Sequence, residues 1–273
     1  MFKDKKIVQK KSLSQVFLQD PWPCKMLADL VKDKGVSQVL EIGPGKGILT
    51  RELLESGLEL TCVEKDERFV KYLTESDFGR DLQKKGSLKV FCEDVVSFDF
   101  LEWLKLSEES KAICGNIPYH ISTPILFAVL PYLSQLKGVW FLVQLEFAER
   151  LASLTRCKSY GSLSVYTQLR ADVTIECVVD KSLFYPVPKV DSAIVSLCEP
   201  SKKYSDYSLR SVEKLTKICF SQRRKMLSNS LKPLIQKHHK QPPIDLSRRC
   251  DTLTPKDFVT LAEWIFPQKK EGF

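Results

Sequence analysis

Three clusters of residues have the types and spacing to do chemistry. Glu41-Ile42-Gly43-Pro44-Gly45-Lys46-Gly47 sets three glycines at alternate positions behind an apolar run. Glycines so placed let the backbone turn tightly and approach a ligand with no side chain in the way. A dinucleotide fingerprint would need its third glycine at position 48, which is Ile48. A phosphate loop would need Ser or Thr directly after Lys46, where Gly47 stands. Two acids close later apolar runs, Glu64 in Cys62-Val63-Glu64 and Asp94 in Cys92-Glu93-Asp94. The third cluster, Gly115-Asn116-Ile117-Pro118-Tyr119, sets a side-chain amide, a backbone carbonyl, a proline of fixed φ and an aromatic ring side by side. Asn-Pro turns are common in loops, so its meaning depends on where the fold puts it.

The elements around these clusters supply that position. Residues 39–42, 60–63, 88–92, 112–114 and 139–143 read as short buried strands, with helical patterns over 48–55 and 123–133. Alternation of this kind predicts a parallel sheet covered by helices on both faces, an α/β fold. Two more strands, 173–179 and 193–197, flank a Pro-rich stretch and are expected to pair antiparallel at the sheet edge. Each cluster then falls at the C-terminal end of a strand. Beyond residue 200 the pattern changes to helices. Residues 209–231 read as one long basic helix ending near Pro233, and Thr254-Pro255-Lys256-Asp257 reads as a helix start that buries Phe258, Leu261, Ala262 and Ile265. The expected division is a basic tail over 1–13, an α/β domain over 14–200 and a helical domain over 201–273.

Charge follows that division. The 273 residues hold 42 basic and 34 acidic side chains, a net +8, with +4 in residues 1–13, −5 in 14–200 and +9 in 201–273. Basic ends around an acidic body point to a polyanion bound beside a separate small-molecule site. The nine cysteines lie at least 20 residues apart and the three histidines form no ligand cluster, so no metal is expected. The odd number of cysteines and the lack of an apolar leader or a ~20-residue apolar run point to a reducing, cytoplasmic location away from membranes.

The glycine cluster resembles the first motif of class I S-adenosylmethionine-dependent methyltransferases, and Asn116–Tyr119 resembles the [NDS]-[PIL]-P-[YF] motif of those that methylate amines. Further runs extend the likeness over nearly the whole chain: SQVFL at 14–18, NIPYHISTP at 116–124, VQLEFAERL at 143–151, YGSLSV at 160–165, FYPVPKVDSAIV at 184–195 and FSQRRK at 220–225. Together they are similar to the bacterial small-subunit (16S) ribosomal RNA adenine-N6,N6-dimethyltransferases, the kasugamycin-sensitivity family. The resemblance implies a Rossmann-like, mostly parallel seven-stranded sheet with a small helical domain. It implies S-adenosylmethionine as cofactor, S-adenosylhomocysteine as product, and a monomer acting on small-subunit rRNA within the 30S precursor. It assigns Leu18, Gly43, Gly45, Glu64, Asp94 and Asn116 to the cofactor. Asn116, Ile117, Pro118 and Tyr119 become the catalytic tetrapeptide, Tyr119 and Phe184 the rings that stack on the target base, and Arg223, Arg224 and Lys225 the RNA contacts.

The chain departs from the family pattern in places. Ser14 and Val16 replace a glycine and a polar residue, so Val16 offers the cofactor no side-chain hydrogen bond. Leu145 and Ser162 stand where basic residues are common, which implies fewer phosphate contacts there. Three other readings share parts of the motif set: a macrolide-resistance methyltransferase of large-subunit rRNA, a DNA adenine methyltransferase, and a non-catalytic rRNA-binding assembly factor. Ile117 differs from the usual DNA-enzyme motif, and the intact tetrapeptide and glycine turn oppose the idle factor.

Overall fold

The computed structural model describes residues 17–236, 238 and 241–268. The tail over 1–13 and the residues Ser14, Gln15 and Val16 lie outside them. The strands are β1 (Phe17–Leu18), β2 (Gln38–Ile42), β3 (Glu59–Glu64), β4 (Leu88–Cys92), β5 (Lys111–Asn116), β6 (Val139–Gln144), β7 (Asp172–Val179), β8 (Phe184–Tyr185) and β9 (Ser192–Cys198). Seven of them form one sheet in the order β4-β3-β2-β5-β6-β9-β7. Its first five strands are mutually parallel, and β9 runs antiparallel to β6. The expected mostly parallel seven-stranded α/β sheet is what the chain forms, with β9 inserted between β6 and the edge strand β7. The central strands are buried along nearly their whole length, as strands covered on both faces must be.

The chain divides into two compact units. One, residues 1–148 and 174–199, carries the sheet. Its core packs Leu27 and Val31 of the Trp22–Lys32 helix and Leu53 of the Ile48–Glu55 helix against Val39, Leu60, Cys114 and Ile194. A two-stranded ribbon, β1 against β8, belongs to the same unit and pairs Leu18 with Phe184 and Phe17 with Tyr185.

The second unit is residues 149–173 together with 200–273. The sequence placed 149–173 with the sheet. The Ser162–Gln168 helix and its flanks instead bury Tyr160, Val165 and Leu169 against Val212, Leu215, Phe258 and Leu261. Tyr160 is fully buried, and its hydroxyl donates to the Leu253 carbonyl at 2.8 Å. Thr254 caps the Pro255–Ile265 helix as its sequence promised: its hydroxyl accepts from the Asp257 N–H, whose carboxylate accepts from the Thr254 N–H. The long basic helix is shorter than expected. It spans Asp206–Ser221, buries Ser208, Ser211, Val212, Leu215, Thr216 and Cys219 on one stripe, and stops before the basic run. Gln222, Arg223, Arg224 and Lys225 form a turn instead, followed by a short Leu227–Ser230 helix.

Candidate active site

Strand order reverses direction between β2 and β5: β3 and β4 lie on one side of β2, β5 and β6 on the other. Ligands of open α/β sheets bind in the crevice at the carboxyl ends of strands beside such a switch point. Here that crevice is a cavity of about 210 Å³ within the sheet unit. Its wall is built from the ends of four strands: Gly43, Pro44 and Gly45 after β2, Glu64 and Lys65 after β3, Asp94, Val95 and Val96 after β4, and Asn116, Ile117 and Pro118 after β5.

The turn is left-handed at each of its glycines. Gly43, Gly45 and Gly47 have φ of 64°, 53° and 75°, values that favour glycine because a Cβ crowds the neighbouring carbonyl. A Cβ at Gly43 would meet nothing within 4 Å, so open space borders the backbone there. Glu64 sits over the turn, its Oε2 accepting from the Gly45 N–H at 3.2 Å and its Oε1 from the Asp66 N–H at 2.8 Å. Burial raises its carboxyl above the ordinary range, against the lowering effect of those two N–H groups. Asp94 is nearer solvent. Lys65 Nζ donates to its Oδ2 at 2.7 Å and the Val96 N–H to its Oδ1 at 3.0 Å, which together hold its carboxyl below the usual range. Beneath the turn, Glu41 is fully buried and accepts a weak hydrogen bond from Cys62 Sγ at 3.5 Å; burial pushes its carboxyl up to about 7.

The tetrapeptide is fixed by its backbone. The Ile117 N–H donates to the Leu142 carbonyl at 2.9 Å, and the Pro118 carbonyl accepts from the Ile121 N–H at 3.1 Å and the Ser122 hydroxyl at 3.2 Å. Asn116 lines the cavity, and no described residue hydrogen-bonds its carboxamide. Tyr119 opens the short helical turn Tyr119–Ile121 and is tied by its hydroxyl to Ser192 Oγ at 3.1 Å; its ring is not part of the cavity wall.

The structure thus brings Leu18, Gly43, Gly45, Glu64, Asp94, Asn116, Ile117 and Pro118 around one cavity. Phe184 is not with them. It is 1% exposed, packed among core residues beside Leu18, and presents no ring face to a ligand here. Arg223 also departs from its expected place. Its guanidinium donates to the Lys158 and Cys157 carbonyls at 2.6 and 2.8 Å, which leaves Arg224 and Lys225 as the exposed cations of that run. Sequence reasoning missed Phe17, Lys65, Val95, Val96 and His120, all in the cavity wall. Phe17 and His120 lay within motif runs and the valines directly behind Asp94, but neighbours in sequence do not say which side chain turns inward. Among the described residues no cluster of His, Cys, Asp and Glu could hold a metal, and no helix is long and apolar enough to cross a membrane.

Residues 7–266 match the ribosomal RNA adenine dimethylase family. The chain belongs to that family. This adenine dimethylase is 37% identical to the ribosomal RNA small subunit methyltransferase A of Francisella tularensis subsp. novicida, over 94% of this chain and 97% of that protein. Among solved structures it is similar to a dimethyladenosine transferase from Plasmodium falciparum, with a TM-score of 0.72 at 26% identity over 90% and 95% of the two chains. It is also similar to the 23S rRNA methyltransferase ErmE, with a TM-score of 0.66 at 26% identity over 91% and 99%. The dimethylase is therefore a class I S-adenosylmethionine-dependent methyltransferase, and its cavity suits that cofactor. Its wall holds a buried carboxylate, Glu64, and a half-buried one, Asp94. Val95, Val96, Ile48 and Ile117 supply the apolar remainder, and open space borders the backbone at Gly43.

Proposed function

We propose that the chain transfers methyl groups from S-adenosylmethionine to the N6 amino groups of two adjacent adenosines in the 3′-terminal hairpin loop of small-subunit rRNA, within the 30S precursor in the cytoplasm. The observation that carries this reading is the placing of the Asn116 carboxamide and the Ile117–Pro118 backbone in the wall of the same cavity as Gly43, Glu64 and Asp94. The 37% identity to a small-subunit enzyme supports the choice of ribosomal subunit. Unstacked loop bases are the usual targets of sequence-specific RNA recognition.

The residues divide the work by geometry. Glu64 is placed to accept from ribose hydroxyls and Asp94 from the adenine amino group of the cofactor, with Leu18 closing the cavity. When bound, the cofactor supplies an electrophilic methyl on a sulfonium. An adenine N6 is a poor nucleophile because its lone pair is delocalised into the ring. Asn116 Oδ1 and the Ile117 carbonyl accept its two hydrogens, which localises the lone pair and aims it. Pro118, held by Ile121 and Ser122, keeps that carbonyl in place, and Tyr119 lies beside the entering base. As the N–C bond forms the S–C bond breaks, S-adenosylhomocysteine leaves as the neutral thioether, and the proton on the now cationic N6 passes to water; positioning supplies most of the rate, so no general base of perturbed pKa is called for.

The test is transfer of labelled methyl groups to undermethylated small subunits, to large-subunit RNA and to duplex DNA, with identification of the product nucleoside. Label in N6,N6-dimethyladenosine from small subunits alone is expected; label from large-subunit RNA alone would favour the macrolide-resistance reading. Asn116→Ala is expected to lower single-turnover transfer by at least about a hundredfold while leaving affinity for the subunit unchanged. Near-wild-type turnover in that variant would remove Asn116 from the mechanism.

A further inference from the structure

In the helical unit, the loop ahead of the Ser162–Gln168 helix is built in an unusual way. Arg156 has φ 69°, the left-handed region, and is the one non-glycine residue there among the described residues. A side chain in that conformation crowds its own backbone and persists only where the surroundings impose it. The surroundings do so here. The Arg156 N–H donates to the Asp251 carbonyl at 2.7 Å, and Ser153 Oγ meets Ser159 Oγ at 2.8 Å across the loop's base. Arg223 spans the far side with its two bonds to the Cys157 and Lys158 carbonyls, its Nε lying 3.7 Å from Asp251 Oδ2.

All of this fixes backbone, while the side chains it displays do nothing for the fold. Leu154 is 74% exposed, the highest value of any large apolar side chain among the described residues. Arg156 and Lys158 are exposed, and no described residue pairs with either cation. An exposed apolar side chain followed in the same loop by two unpaired cations, on a unit with 20 basic and 9 acidic residues, is complementary to a polyanion that also shows apolar faces. RNA with unstacked bases is such a partner: cations neutralise phosphates and an apolar wedge packs on a base or sugar.

We infer that residues 154–158 form an rRNA-docking loop, Leu154 lying against an exposed nucleoside and Arg156 and Lys158 on the flanking phosphates, with Arg223 the positioning residue that clamps the loop. The inference rests on the rRNA methyltransferase reading. It reassigns Arg223 from direct phosphate contact to support of the residues that make it.

The experiment compares the full-length wild type with three variants for binding to undermethylated small subunits at several salt concentrations, with methyl-transfer kinetics and thermal midpoints alongside. Arg156→Gly puts the residue type that tolerates this φ in place of a cation. Its thermal midpoint should hold or rise, its affinity should fall about three- to tenfold, and the salt slope should drop by about 0.7–0.9 for the one lost contact. The loss should show in KM for the subunit, with kcat and cofactor affinity unchanged. Arg223→Lys keeps the charge but cannot span two carbonyls, so its affinity should fall as well. Leu154→Ser should weaken binding with the salt slope intact. Wild-type affinity in Arg156→Gly or in Arg223→Lys would overturn the inference, as would a loss of affinity that merely follows a lower thermal midpoint. Those outcomes leave the methyltransferase reading standing, because wild-type transfer to small subunits tests it separately. A wild type that neither binds nor methylates small subunits would overturn both.

Discussion

Single residues in the site have their acidity set by burial and by neighbours, and Glu41 is the sharpest case. Its carboxyl lies on β2 under the glycine turn, with Cys62 as a weak donor and Glu64 the charged group that raises it further. Burial, the largest cause, pushes it to about 7 from the 4.5 of a free glutamate. The folded protein therefore holds this proton more tightly than the unfolded chain does, so stability falls as pH rises from about 4.5 through about 7 and levels off above. Glu41→Gln keeps the shape without the ionisation. From pH 5 to pH 8 the unfolding free energy of the variant is expected to gain about 2–3 kcal/mol on the wild type, measured by urea denaturation without cofactor. A difference that stayed constant across that range would mean that Glu41 ionises at its ordinary pH. Nothing in the sequence around position 41 announces this, because an acid in front of a glycine turn looks the same whether its carboxylate is solvated or sealed.

At the scale of elements, legibility depended on whether the deciding forces were local. Strands buried on both faces write themselves as short apolar runs, and the Pro255–Ile265 helix carries its own cap in Thr254 and Asp257, so both could be read directly. The end of the Asp206–Ser221 helix could not. No Gly or Pro interrupts the chain before Pro233, and the turn at 222–225 is made by remote partners: Arg223 on the 157–158 carbonyls and the bridge between Met226 and Arg249. Phe184 failed for the same reason, since the β1–β8 ribbon that buries it joins residues far apart in sequence. The four strand ends that form the cavity were legible as an ordered set; which side chains face inward was not. Gly115 on β5 tests the tightness of that frame. A Cβ there would come within 2.5 Å of the Ile42 carbonyl on β2 and 3.1 Å of Ile117 Cδ1. Gly115→Ala is expected to lower stability by about 1–3 kcal/mol and weaken cofactor binding together, because it parts the two strands at the switch point. Gly43→Ala meets no atom and should cost only about 1–2 kcal/mol of backbone strain from its positive φ. Denaturation curves measured without cofactor compare the two; a cost of Gly115→Ala no larger than that of Gly43→Ala would show that the β2–β5 contact has slack.

Over the whole molecule, the net +8 is the sum of two unlike parts. The helical unit holds 20 basic and 9 acidic side chains, while the sheet unit holds 22 basic and 25 acidic, or 17 and 24 once residues 1–13 are set aside. The cofactor cavity lies wholly in the acidic unit, walled by Glu41, Glu64, Glu93 and Asp94 among apolar side chains. A ligand there would be held by short-range hydrogen bonds and apolar contact in a partly enclosed space, where salt screens little. RNA held through exposed cations is the opposite case, because each neutralised phosphate releases condensed counterions. With about four such contacts, affinity for undermethylated small subunits should fall about a hundredfold between 50 and 200 mM salt. Affinity for S-adenosylhomocysteine should change by less than about twofold over the same range. Filter binding and calorimetry at matched salt concentrations measure both. If the two affinities fell together, the cations of the helical unit would not be what holds the RNA, and the segregation of charge between the units would have no part in substrate binding.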